Sequence, residues 1–237
     1  MKIIKVNDYE ELSVKAAQIV AEKLKQLKQP ILGLATGSTP IKTYENLVEK
    51  YRQGEISFAN AITFNLDEYV GLSIEDPTSY HYFMDYHLFK HIDIKPENIH
   101  LPDGMAEDLE EECKNYEKMI ENVGKIDLQI LGLGLNGHIG FNEPGTSFSS
   151  RTHVVDLTPS TIEANARFFS SIDEVPKKAL TMGIATIMDA KEILFLVNGE
   201  KKADILRKVV HGEVTEDVPA SVLQRHPNVT LITDIDV

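Results

Sequence analysis

The sequence predicts an α/β protein: a doubly wound, mostly parallel sheet with helices on both faces, folded as one domain. Three observations predict it. Short apolar or β-branched runs alternate with helical patterns along the whole chain, and that alternation marks parallel sheets, whose neighbouring strands need a crossover between them. Three of the apolar runs lead directly into small-residue, acidic or glycine-rich segments, at the strand ends where such folds bind ligands. Finally, no linker, low-complexity tract or internal repeat interrupts the 237 residues, a length at which roughly 70–75% of the unfolded surface can be buried.

Each element follows from local pattern. Lys2–Val6 reads as a strand, and Leu12, Ala16, Val20, Leu24 and Leu27 then recur at helical spacing behind the cap Asp8, with Glu11 three residues on. Ile31–Leu34 is the next strand, and Pro40 opens a helix that stops near Gly54. Ala61–Asn65 is a third apolar run. Thr78–His91 and Glu107–Glu121 carry helical patterns, with Ile126–Leu131 a buried strand after them. Strands are expected at His153–Leu157, Ala179–Gly183, Ile193–Asn198 and Val229–Thr233, and helical stretches at Pro159–Phe169, Thr186–Ala190 and Glu200–His211.

Charge and cysteine content narrow the partners. With 24 Lys+Arg against 37 Asp+Glu, the formal charge is −13, which repels nucleic-acid backbones and anionic lipid alike. No apolar run approaches the roughly 20 residues of a membrane span. The single cysteine, Cys113, makes neither an internal disulfide nor a CxxC zinc site, and with no signal peptide at Met1–Lys5 the expected location is the cytoplasm. An anionic ligand would need a positive site built locally.

Three segments after strands could carry chemistry. In Leu34-Ala-Thr-Gly-Ser-Thr-Pro40, small residues let backbone N–H groups converge on a ligand before a helix, so that Thr36, Gly37, Ser38 and Thr39 either hold a phosphate or form a tight turn and helix cap. It lacks the Lys of a Walker A loop. In Phe64-Asn-Leu-Asp-Glu-Tyr69, the adjacent carboxylates Asp67 and Glu68 sit at a strand end, where repulsion and partial burial raise one pKa toward general-base range. The third is Leu131-Gly-Leu-Gly-Leu-Asn-Gly-His-Ile-Gly-Phe-Asn-Glu-Pro144. Gly132, Gly134 and Gly137, with Asp156 downstream, imitate a dinucleotide fingerprint, but no helix starts at the third glycine: Gly140, Pro144, Gly145 and three serines follow. No nicotinamide or flavin cofactor is expected. Instead Asn136, His138 and Glu143 bring an amide, an imidazole and a carboxylate together, an acid–base device near neutral pH. No HExxH pattern or closely spaced second His accompanies His138 and Glu143. His81, His87 and His91 lie on a Tyr/Phe-rich helix where packing or exposure accounts for them, so no metal is expected.

Together, Ala-Thr-Gly-Ser-Thr-Pro40, Asn-Leu-Asp-Glu-Tyr-Val-Gly71 and the glycine-rich stretch through Glu143-Pro144 closely resemble the glucosamine-6-phosphate deaminase family, and the likeness continues through Asn-Ala-Arg-Phe-Phe169 and Gly-Glu-Lys-Lys-Ala203. The resemblance implies a Rossmann-like fold and conversion of glucosamine 6-phosphate and water to fructose 6-phosphate and ammonia, without metal or organic cofactor. It assigns ring opening to His138, oriented by Glu143 and Asn136, and proton transfer from C2 to C1 to Asp67. Thr36–Thr39, Arg167 and Lys202 would bind phosphate, with Glu68, Gly134 and Gly137 also lining the substrate. It further implies a mobile lid over residues ~145–175 carrying Arg167, and a monomer or small homo-oligomer.

Two departures from the family stand out. Many members carry Asp where this chain has Asn136, so Glu143 becomes the only ionised partner of His138, and a lower His138 pKa is expected than with Asp. Allosteric members carry basic residues where this chain has His153 and Val155, and they run longer at the C-terminus, so hyperbolic kinetics are expected. Two rivals remain: a 6-phosphogluconolactonase, against which the Phe-Asn-Glu-Pro144 continuation argues, and a sugar-phosphate sensor, which would dispense with Asp67 or His138.

Overall fold

A computed structural model describes residues 1–237. Strand β1 (Lys2–Lys5) leads into helix α1 (Tyr9–Gln26). The Asp8 side chain accepts from Glu11 N–H as the expected cap, while the Glu11 carboxylate accepts from Asn7 N–H and Nδ2, one residue before the cap. Strand β2 (Ile31–Leu34), helix α2 (Ile41–Arg52) and strand β3 (Ile62–Asn65) follow. A three-residue strand β4 (Asp67–Tyr69), helix α3 (Tyr80–His87), strand β5 (Ile99–His100), helix α4 (Leu109–Val123) and strand β6 (Leu128–Leu131) complete the first half.

The second half runs through strand β7 (His153–Asp156), helix α5 (Pro159–Asn165), strand β8 (Lys178–Thr181), helix α6 (Ile184–Met188), strand β9 (Ile193–Val197), helix α7 (Ala203–His211) and strand β10 (Val229–Thr233). Thr78–His91 and Pro159–Phe169, expected as continuous helical stretches, are shorter helices continued by single turns at Phe89–His91 and Ala166–Phe168.

Seven strands form one parallel sheet in the order β1-β10-β9-β6-β2-β3-β5. In β2, β3, β6, β9 and β10 every residue is buried. Because successive side chains point to opposite faces, this means helices and loops cover both sides, as the sequence predicts. Phe64 and Phe195 are fully buried within this core, and truncating either to Ala is expected to cost about 3–5 kcal/mol.

The strand order reverses between β2 and β6. From β2 the chain builds outward to β3 and β5, then crosses back to place β6 on the other side of β2 and continues outward through β9 to β10. Loops leaving β2 and β6 therefore diverge, and a crevice opens between them at the carboxyl ends of the strands.

One feature differs from the sequence expectation. The strands at 153–156 and 178–181 do not join the main sheet. They form a separate antiparallel sheet, β4-β8-β7, whose first strand the apolar pattern does not show. Asp67 pairs with Thr181 and Glu68 with Leu180, so the acidic pair lies within a strand, and pleating sends the two carboxylates to opposite faces.

Candidate active site at the sheet switch point

The turn after β2 is held from beneath. Tyr44 Oη, fully buried, accepts from Ala35 N–H and donates to Ala35 O, while Tyr9 Oη donates toward the carbonyls of Ser38 and Thr39. Thr39 is buried and donates through Oγ1 to Asn198 Oδ1 at the end of β9, 2.9 Å away. Thr36 and Gly37 are partly exposed and Ser38 is exposed, and Gly37 has φ 94°, a left-handed conformation suited to glycine. A rigid turn thus presents its middle residues to the crevice, just ahead of α2.

Arg167 reaches this turn from a distant segment, and Lys202 lies near enough to feel its charge. Arg167 Nη2 lies 3.4 Å from Ser38 Oγ, and its guanidinium stacks over the Phe168 ring. Burial, with the nearby Arg167 charge, lowers Lys202 to about 8. Two cations held this close repel one another unless an anion lies between them.

The loop after β6 carries the acid–base group. Gly134 N–H bonds to His138 O at 3.0 Å, folding the loop into a tight turn with Gly137 at φ 91°. The imidazole lies directly on Gly134: a Cβ there would come within 2.3 Å of the ring. His138 Nδ1 faces Glu143 Oε2 at 3.5 Å, and the same oxygen accepts from Asn136 Nδ2 at 2.8 Å. Asn136 Oδ1 in turn accepts from His138 N–H. Burial alone would raise Glu143, but hydrogen bonding and charge from His138, with donors Thr161 and Asn136, outweigh it and hold this carboxyl at about 2.

Asp67 lies beneath the same loop. Its Oδ2 is 3.6 Å from where a Cβ on Gly140 would sit, two residues from His138. Phe141 N–H bonds to Thr181 Oγ1, fastening the loop to the strand opposite Asp67. Burial, reinforced by the neighbouring Glu68 carboxylate, pushes Asp67 up to about 8. No hydrogen bond from the protein offsets this, so burial favours the protonated form of Asp67.

Glu68 departs from its expected place lining a ligand. It is 1% exposed. One oxygen accepts from Tyr69 and Tyr80 N–H and the other from His81 N–H, with His81 Nδ1 2.8 Å away. Its carboxylate anchors the start of α3 rather than facing the crevice, and His81, assigned to packing or exposure from the sequence, is its partner.

Three further features are unmarked in the sequence. Asn198 orients Thr39. Tyr80, which stacks on Phe141 and reaches Tyr69 Oη, belongs to an aromatic cluster with Tyr69 and Phe169 beside the three-stranded sheet. Thr158 and Thr161 approach Glu143 from α5. No set of three His, Cys, Asp or Glu side chains gathers in a metal-binding arrangement, and no helix is long and apolar enough to cross a membrane.

The sequence pattern of the family described as glucosamine-6-phosphate isomerases/6-phosphogluconolactonase matches residues 7–232. The chain belongs to this family. Among curated members, it is 57% identical over 234 residues to the glucosamine-6-phosphate deaminase of Thermoanaerobacter pseudethanolicus, covering 99% of this chain and 92% of that protein. It is 53% identical to glucosamine-6-phosphate deaminase 1 of Bacillus subtilis, with 99% and 97% covered. A solved monomeric glucosamine-6-phosphate deaminase superposes with a TM-score of 0.97 at 53% identity, covering 98% of this chain and 97% of that one. The 6-phosphogluconolactonase of Thermotoga maritima superposes at 0.78 with 23% identity and 99% coverage of each chain, a likeness of fold. The expected α/β architecture is thus that of the deaminase–lactonase family.

Proposed function

We propose that the chain converts glucosamine 6-phosphate and water to fructose 6-phosphate and ammonia. The observation that carries this reading is the Asp67 carboxyl, buried without a hydrogen-bond partner and raised to about 8, in one crevice with the His138–Glu143 pair. The deaminase names of relatives 53–60% identical over nearly the whole chain support it.

The chemistry uses protein side chains and water. Thr36–Thr39, Arg167 and Lys202 take the phosphate, the guanidinium as a planar fork and the ammonium as a point charge. His138 moves a proton from the anomeric hydroxyl to the ring oxygen, and the sugar opens to its aldehyde. Opening comes first because C2–H becomes acidic only beside a carbonyl. The substrate's C2 ammonium favours the ionised form of Asp67, which then removes the C2 proton and returns it to C1. The aldehyde oxygen gains a proton and the nitrogen gives one up meanwhile, so the aldose amine becomes a ketose imine. Water adds to its C2, and collapse of that adduct releases ammonia. Lid movement of residues ~145–175 would exclude bulk water meanwhile. We further infer a monomer acting in the cytoplasm with hyperbolic kinetics.

Supplying glucosamine 6-phosphate and measuring both products tests the reading. Equimolar fructose 6-phosphate and ammonium, abolished in Asp67→Asn, are expected. Binding without turnover, or hydrolysis of 6-phosphogluconolactone in place of deamination, overturns it.

A further inference from the structure

We propose that Thr161, assisted by Thr158, is a positioning residue that keeps Glu143 ionised and aimed at His138 and ties that carboxylate to the segment carrying Arg167. Its importance for catalysis rests on the reaction proposed above. Glu143 divides its two oxygens between two parts of the fold. Oε2 belongs to its own loop, accepting from Asn136 Nδ2 and facing His138 Nδ1. Oε1 belongs to α5, accepting a short hydrogen bond from Thr161 Oγ1, with Thr158 Oγ1 3.1 Å away.

Thr161 is buried. Valine would fill the same volume there without bringing in a polar group, since a buried hydroxyl destabilises unless it is hydrogen-bonded. Its single proton goes to the carboxylate. Thr158 Oγ1 lies 3.1 Å from both Glu143 Oε1 and Thr161 Oγ1, so its own proton reinforces one or the other. His138 is the only charged or titratable group set against Glu143; Asn136, Thr158 and Thr161 are neutral donors.

The same helix runs onward into the turn Ala166–Phe168, where Arg167 reaches Ser38. Six residues therefore separate the donor on Glu143 from the cation at the phosphate seat. Arg167 at Ser38 and Thr161 on the carboxylate are thus carried by one short stretch of backbone, which links phosphate capture to the acid–base pair. A sugar lacking its phosphate would fail in turnover as well as binding.

Thr161→Val, nearly isosteric and without the donor, tests this. Followed by carboxyl-13C NMR with Glu143→Gln for assignment, the Glu143 midpoint is expected to rise by about one to two pH units, the loss of one charge-assisted hydrogen bond. With glucosamine 6-phosphate, kcat is expected to fall roughly ten- to a hundredfold with KM changed less than about threefold, and Thr161→Ser restores both readings. A wild-type Glu143 midpoint with only a lowered Tm overturns the proposal, because that is the signature of packing. If the wild-type chain releases no ammonium, the reading of function fails, and the carboxyl titration alone decides the role of Thr161. Should Thr161→Val not fold, Thr161→Ala is read by the same titration.

Discussion

Asn136 Nδ2 donates a 2.8 Å hydrogen bond to the oxygen of Glu143 that also faces the His138 ring. An amide at this position can give a proton to the carboxylate, and an ionised Asp could not. Replacing it with Asp sets two carboxylates at hydrogen-bond distance, which cannot both stay ionised at ordinary cost.

Asn136→Asp is therefore expected to form a pair sharing one proton. The acid limb of kcat, which reports the ligand complex, should move to higher pH by about one unit or more. An unchanged profile would mean that the amide contributes geometry alone.

Asp67→Asn is expected to remove turnover and to stabilise the fold in a pH-dependent way. Burial holds the folded Asp67 carboxyl up at about 8, whereas the unfolded chain releases its proton near the ordinary aspartate value of about 3.9. Wild-type stability contributed by this group therefore falls as pH rises between those values. Thermal unfolding at pH 5 and pH 8 checks it: the stability gained from Asn should be small at the lower pH and larger at the higher, on the order of several kcal/mol at most, with Tm rising in step.

Lys202, lowered to about 8 by burial and Arg167, loses its charge as pH rises. KM for the sugar phosphate is expected to climb above that pH in the wild type, and Lys202→Arg, whose guanidinium stays charged, should flatten the climb. Initial rates from pH 7 to 9.5 distinguish the two curves.

Gly134→Ala places a methyl group where the His138 imidazole lies, 2.3 Å from ring atoms. Because Gly134 does not have the positive φ that requires glycine, the damage is steric and confined to the ring. A roughly hundredfold loss of kcat with Tm within a few degrees of wild type is expected, measured by steady-state kinetics and calorimetry.

Much of this architecture was legible because it is local. Ile31–Leu34 and Val229–Thr233 read as strands from four or five successive apolar or β-branched residues, and these are the boundaries observed. Strand β4 was not legible: Asp-Glu-Tyr has no apolar run and becomes a strand only through pairing with β8, more than a hundred residues on. The same pairing separates Asp67 from Glu68, which the sequence presents as equals. Thr158 caps α5, its side chain accepting from Thr161 N–H, within a stretch the sequence marks only as helical from Pro159. Their contact with Glu143, 15 and 18 residues back, depends on how α5 docks.

Burial works against the charged forms of both Asp67 and Lys202, raising the one and lowering the other. A zwitterionic amino-sugar phosphate completes both groups at once: its ammonium expels a proton from Asp67, while its phosphate draws one onto Lys202. The two exchanges have opposite sign, so on the protein's side the proton released at Asp67 offsets the one taken up at Lys202. A phosphosugar lacking the amine unbalances the pair and takes a proton from solution.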